Sequence, residues 1–218
     1  GDGYDDLERI NYNNSSTFDA TANGGLGTWL GCTLEGIILN TLGGADNVIS
    51  DDSGAKFTIN GGEGNDVFQI GQVFNSARDA LAGIAPEDLF RTVKTTQGFL
   101  SRGISYEMII NGGNGDDQFQ VYHNKAELFV NGDEGNDKFL VRAFAVIDSS
   151  GDQQTTNIVT GTGINEVTYA INAPVNIDGG GGVNTLVVLL TEYKDEVVIT
   201  ENKIYGAGLT LNYVSIQR

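Results

Sequence analysis

The chain of 218 residues holds one cysteine, one histidine and 12 lysines and arginines against 29 acidic side chains. Each scarcity excludes something. Cys32 has no partner for an intrachain disulfide, so the fold has no covalent staple. With a formal net charge of -17 and no basic patch to neutralise phosphates, a nucleic-acid partner is excluded. No stretch is long and apolar enough to span a bilayer, and Thr185 to Leu190 reads as a buried strand. His123, beside Asn124 and Lys125, reads as a solvated turn residue, with nothing to place it in a Ser-His-Asp arrangement. Acidic side chains are many, but they fall where turns want ligands and give a glycosidase no independent support. Trp29 and Tyr12 are read as packing rather than as a sugar-stacking patch. The chain is therefore expected not to be an enzyme.

Glycine, by contrast, is abundant, at 31 residues, and much of it falls in a recurring pattern, Gly-Gly-x-Gly-x-Asp-x-apolar. The clearest copies are Gly61 to Phe68 and Gly112 to Phe119, followed by Gly132-Asp133-Glu134-Gly135-Asn136-Asp137-Lys138-Phe139. A shortened copy runs Gly44-Ala45-Asp46-Asn47-Val48, and an opening one Gly3-Tyr4-Asp5-Asp6-Leu7. Asp46 and Asp66 are 20 residues apart, as are Asp117 and Asp137. Weaker copies around Asn165 and Asn184 put asparagine where the aspartate stood. A period near 20 residues fits one coil of two strands and two turns, and the half-repeats supply the second strand, Lys56 to Ile59 in one coil and Glu127 to Val130 in another. Only one edge of the coil carries the glycine-aspartate turn. The expected fold is all-β, a parallel β-roll or β-helix-like solenoid with a partly helical insertion.

The same turns point to a metal. Glycines bring main-chain carbonyls together, the aspartate adds a hard oxygen, and the residue after it starts an inward-facing strand. Calcium takes six to eight oxygen ligands at roughly 2.3–2.6 Å, so one turn is not a site and the next coil has to complete the shell. Asp5, Asp46, Asp66, Asp117 and Asp137 are the candidate side-chain ligands. Gly61, Glu63, Gly112, Asn114, Gly132 and Glu134 are the accompanying turn residues, and Asp116 and Asp133 are additional carboxylates nearby. Asn165 and Asn184 keep the geometry and lose the charge. Ions are expected to stack in a column along one side of the roll.

The pattern is interrupted between Asp66 and Asp117, which are 51 residues apart. Residues 71–110 read as an insertion with short helices at Asn75 to Ala82 and from Pro86 to Phe90, the proline standing at a first helical position, and with strand or loop from Thr92 to Leu100. Smaller insertions are placed at 23–33 and 148–156. Residues 1–218 otherwise read as a single β-roll segment of a larger protein. They start inside a repeat, show no signal peptide, and end after Leu211 to Ile216, where an open coil invites self-association.

The segments Gly61 to Phe68, Gly112 to Phe119 and Gly132 to Phe139 resemble the glycine- and aspartate-rich nonapeptide repeats of the RTX family, the hemolysin-type calcium-binding repeats. The resemblance covers about a third of the chain. It implies parallel β-rolls with calcium between successive turns, in secreted bacterial proteins that fold after export, with Asp66, Asp117 and Asp137 as ligand aspartates. This chain departs from it in not running its nonapeptides back to back. The expected role is a calcium-binding structural segment of a large secreted or cell-surface bacterial protein, with neighbouring repeats of the parent chain as partners. An adhesive or carbohydrate-binding module, with a surface glycan or protein as partner, is the alternative.

Like charges repelling across coils and the backbone entropy of so many glycines both favour the open chain, so folding is expected to be linked to the binding of calcium. Circular dichroism should show less β signal in excess chelator than in calcium; identical spectra in both solutions contradict this.

Overall fold

The computed structural model describes residues 16–19, 28–31, 36–78, 89–147, 153–160 and 163–217. The protein is all-β, with mostly parallel sheets and no helix among the described residues. Two sheets dominate. In the larger, Ile37–Asn40, Phe57–Glu63, Met108–Asn114, Leu128–Glu134, Val175–Asp178 and Leu209–Val214 lie side by side in parallel. In the smaller, Asn47–Ser50, Val67–Ile70, Gln118–Val121, Lys138–Arg142 and Thr185–Leu189 do the same. The chain alternates between them up to Thr185–Leu189, and each glycine-aspartate turn carries it from the larger sheet to the smaller.

Parallel pairing in register lays equivalent residues over one another at the ~4.8 Å strand spacing. Alternate residues face inward, so the core is a set of columns. Ile59, Ile110, Val130 and Ile177 form one, all buried. Phe68, Phe119 and Phe139 form another, with ring centroids 5.2 and 4.9 Å apart and planes within 13° and 6° of parallel. On the outside of the larger sheet an asparagine column runs beside them: Asn60 Nδ2 donates to Asn40 Oδ1 at 2.7 Å, Asn111 to Asn60 at 2.8 Å and Asn131 to Asn111 at 2.7 Å. A carboxamide suits such stacking because it carries a donor and an acceptor, so each copy satisfies the next.

Two excursions leave the coil and return without disturbing this register, since Asn60 and Asn111 bond as neighbours although 51 residues separate them. The first follows Ile70 and contributes Val73–Phe74, Thr92–Thr95 and Gly98–Ser101. The second follows Arg142 and contributes Ala145–Val146, Gln153–Thr160 and Gly163–Ala170. They meet in one six-stranded antiparallel sheet, joined where Val146 pairs with Thr95. Val93, Leu100, Phe144, Val146 and Ala170 form its own small core. Of the residues expected to be helical, those on 79–88 lie outside the described residues; Asn75, Ser76 and Arg78 are bends, and Ala77, Leu89 and Phe90 are irregular, none of them helix. In the 23–33 region, Thr28–Gly31 pairs antiparallel with Ser16–Asp19.

Three readings are corrected. The expected coil around Asn165 is instead a hairpin strand, Gly163–Ala170 against Gln153–Thr160, so the column passes directly from Asp137 to Asn184. The parallel strand Leu209–Val214 is not left open: Lys203–Gly206 and Val197–Ile199 fold back antiparallel and cover its edge. His123 is not a solvated turn residue. It is 1% exposed, with Nδ1 2.9 Å from the Ser101 carbonyl and Nε2 3.3 Å from that of Ile171, one from each excursion. The excursions pack over the tip turn that the sequence left facing water.

Removing an aromatic from the middle of the stack leaves a void between two rings, whereas removing an asparagine from the outer column breaks two solvated hydrogen bonds. Phe119→Ala is expected to destabilise by about 3–5 kcal/mol and Asn111→Ala by about 1–2 kcal/mol. Denaturant unfolding of both variants checks the order.

Candidate functional site

The site begins with the strands that end in the turns. Gly61, Gly112 and Gly132 lie two residues before the end of the strand that precedes each aspartate. A methyl group on any of them would overlap two oxygens, the Oδ2 of the aspartate five residues on and the main-chain oxygen of the equivalent glycine in the next coil, Gly112, Gly132 or Gly179. Only glycine leaves that space open. The next position turns the chain with positive φ, 98° at Gly62 and 104° at Gly113; in the third turn Asp133 takes the same conformation at 65°.

The aspartates then form a column of their own. The Asp46 N–H donates to Asp66 Oδ1 at 2.8 Å, Asp66 N–H to Asp117 at 2.8 Å, Asp117 N–H to Asp137 at 2.9 Å and Asp137 N–H to Asn184 Oδ1 at 2.8 Å. Asp66, Asp117 and Asp137 are at most 1% exposed, and Asp46 is half-buried. Oδ1 is thereby satisfied in Asp66, Asp117 and Asp137. The Oδ2 atoms of Asp46, Asp66, Asp117 and Asp137 are buried and have no hydrogen-bond partner. An unpaired buried carboxylate oxygen loses its hydration without replacement, a cost of about 1–3 kcal/mol or more each. Four such atoms in one column mark the position where positive charge or a proton is wanted.

The remaining candidates sit around this column. The Glu63, Asn114 and Glu134 side chains are exposed, with Asn114 Nδ2 donating to Glu63 Oε1 at 2.8 Å. Their side chains lie outside the buried column. Asp116 belongs to a second, exposed column: its N–H donates to Asn65 Oδ1 at 2.9 Å and its Oδ1 accepts from the Asn136 N–H at 2.8 Å. Asp133 is exposed as a residue, and partial desolvation of its carboxyl, with repulsion from Asp178 and Glu134, holds its pKa above the usual range. Asp5, Cys32 and Tyr12 lie outside the described residues.

The donor chemistry is oxygen alone, carboxylate and carbonyl, which suits a hard cation and not a thiolate- or imidazole-seeking metal. Among the described residues no three or more His, Cys, Asp or Glu side chains converge as a metal site, so main-chain carbonyls have to supply most of any coordination shell. Sequence reasoning missed Thr41, which stands where later coils have glycine and whose hydroxyl donates to the Gly61 carbonyl at 2.7 Å. It also missed Gln217, whose Oε1 accepts from the Asn184 N–H at 2.6 Å. Neither lies within a glycine-aspartate motif; only the coil period could have located them.

The chain matches no family model, no curated protein and no solved structure.

Burial first, and then repulsion from Asp137, Asp66 and Asp133, pushes the Asp117 carboxyl up to about 6 against the opposing pull of the Asp66 N–H. Asp137 is pushed up to about 6 by burial and by Asp116 and Asp133, and Asp66 is raised by burial and Asp46. A carboxyl with a raised folded-state pKa binds its proton more tightly when folded. Its contribution is fully present below about pH 4, the unfolded value, and is lost as pH rises through about 6. Chelator-treated protein is therefore expected to be more stable at pH 5 than at pH 8, as read by thermal unfolding; the opposite order contradicts the buried column.

Proposed function

We propose that this chain is a calcium-stabilised β-roll, a solenoid segment of a large secreted or cell-surface bacterial protein of the kind its RTX-like turns resemble. One observation carries the reading: the column of buried, unpartnered carboxylate oxygens at Asp46, Asp66, Asp117 and Asp137. The two parallel sheets, visited alternately and joined by these turns, support the solenoid part.

Asp46, Asp66, Asp117 and Asp137 would hold the ions, with main-chain oxygens of their turns and of Gly112, Gly132 and Gly179 beside them. Calcium would supply the positive charge that the stacked carboxylates lack and tie successive coils together. The protein's own residues do the rest: glycines keep the space open, Oδ1 atoms fix each aspartate against the preceding coil, and the phenylalanine column sets the spacing. One buried carboxylate per turn gives few charges per ion, and affinity falls with ligand charge. Such sites fit the higher calcium of the extracellular medium. The role is mechanical, since ions present outside the cell make a floppy glycine-rich chain into a stiff rod.

Calorimetric titration of calcium into metal-stripped protein tests this. Saturable binding of several ions is expected, with a smaller heat and a lower unfolding midpoint in Asp66→Ala. No binding to a chain that is folded in chelator overturns it.

A further inference from the structure

Asn184 occupies the aspartate position of the last glycine-aspartate coil, and its surroundings differ from those of the aspartates in one respect. Its Oδ1 accepts the Asp137 N–H at 2.8 Å, as each aspartate accepts that of its predecessor. Its second atom is Nδ2 instead of Oδ2, and it is fully used. It donates to the carbonyls of Gly179 at 2.7 Å and Gly181 at 2.8 Å in its own turn, and of Ser215 at 3.2 Å in the next. Gly179 makes the same approach as the earlier glycines: a methyl group there would overlap the Ser215 oxygen and crowd Asn184 Nδ2. Where the aspartate turns set an acceptor among acceptors, this turn sets a two-proton donor among them.

We propose that the Asn184 carboxamide is a built-in substitute for the cation, so that the ion column ends at this coil and the coil closes without metal. The inference rests on the calcium reading for what fills the other turns. Among the described residues two neutral groups then bracket the column, the Thr41 hydroxyl on the Gly61 carbonyl at one end and the Asn184 amide at the other.

The substitution should be portable. Here the new Nδ2 of Asp117→Asn finds the turn already shaped for it, because residues 112 and 114 stand to Asp117 as Gly179 and Gly181 stand to Asn184. The variant should lose an ion and need calcium less.

The test compares the full chain with Asp117→Asn and Asn184→Asp, by calorimetric calcium stoichiometry and by thermal unfolding with and without chelator. Asn184→Asp should bind one ion more than the unaltered protein and be less stable in chelator. Asp117→Asn should bind one fewer, and its midpoint in chelator should rise by roughly 3–8 °C. If the unaltered protein binds calcium while Asn184→Asp gains no ion and Asp117→Asn is no more stable in chelator, the inference is overturned and the calcium reading stands. If the unaltered protein binds none, the calcium reading falls, and the amide's role is decided by Asp117→Asn in chelator alone: a raised midpoint supports it and a lowered one overturns it.

Discussion

In-register parallel stacking places every residue on its own equivalent, so a side chain survives in a column only if it is complementary to a copy of itself. Phenylalanine is, through its stacked faces, and so is asparagine, through an amide that donates on one side and accepts on the other. Aspartate is half complementary. Its Oδ1 takes the neighbouring coil's N–H, but its Oδ2 meets only other oxygens, and like charges one strand spacing apart repel by about 3 kcal/mol at an effective dielectric of ~20. Three kinds of column therefore run through one fold, two that are self-sufficient and one that asks for something from outside.

That asymmetry separates what holds the protein together from what controls it. The aromatic and aliphatic columns and the outer asparagines set the shape and register of the folded coils. The aspartate column leaves four buried Oδ2 atoms unpartnered, and on the proposed reading this makes the same shape conditional on the solution, through proton or cation. The excursions add a third element. They diverge after Ile70 and Arg142, far apart in sequence, yet close into one antiparallel sheet and bury His123 between them, so coils well separated along the chain are clamped by a structure that takes no part in the column.

The turns were legible because glycine at the close-approach position and an aspartate five residues later leave a fixed motif, and the phenylalanines after them mark the inward face. Asn40, Asn60, Asn111 and Asn131 stand at one position of the same period, but an asparagine before glycine also reads as ordinary turn chemistry, and only pairing shows that they touch. The sequence marked insertions at 71–110 and 148–156, but not the sheet they form together, because its partners are remote: Thr95 meets Val146 through the tertiary fold alone, and nothing local announces it. His123 was misread for the same reason, since a polar turn looks solvated until a distant segment covers it. Asn165 shared spacing with Asn184 but lacked the surrounding glycines in full, and strand pairing with Asn157 to Ile158 claimed that stretch instead.

The central claim is that positive charge fills the space between Oδ2 and the glycine carbonyls. Crystals grown in calcium and soaked with a lanthanide test it through anomalous difference density. The account predicts a row of peaks beside Asp66, Asp117 and Asp137, with none beside Asn184. An ordered column without peaks, its carboxyl oxygens within hydrogen-bonding distance of the carbonyls, would contradict it and show that protons alone hold the aspartates in place.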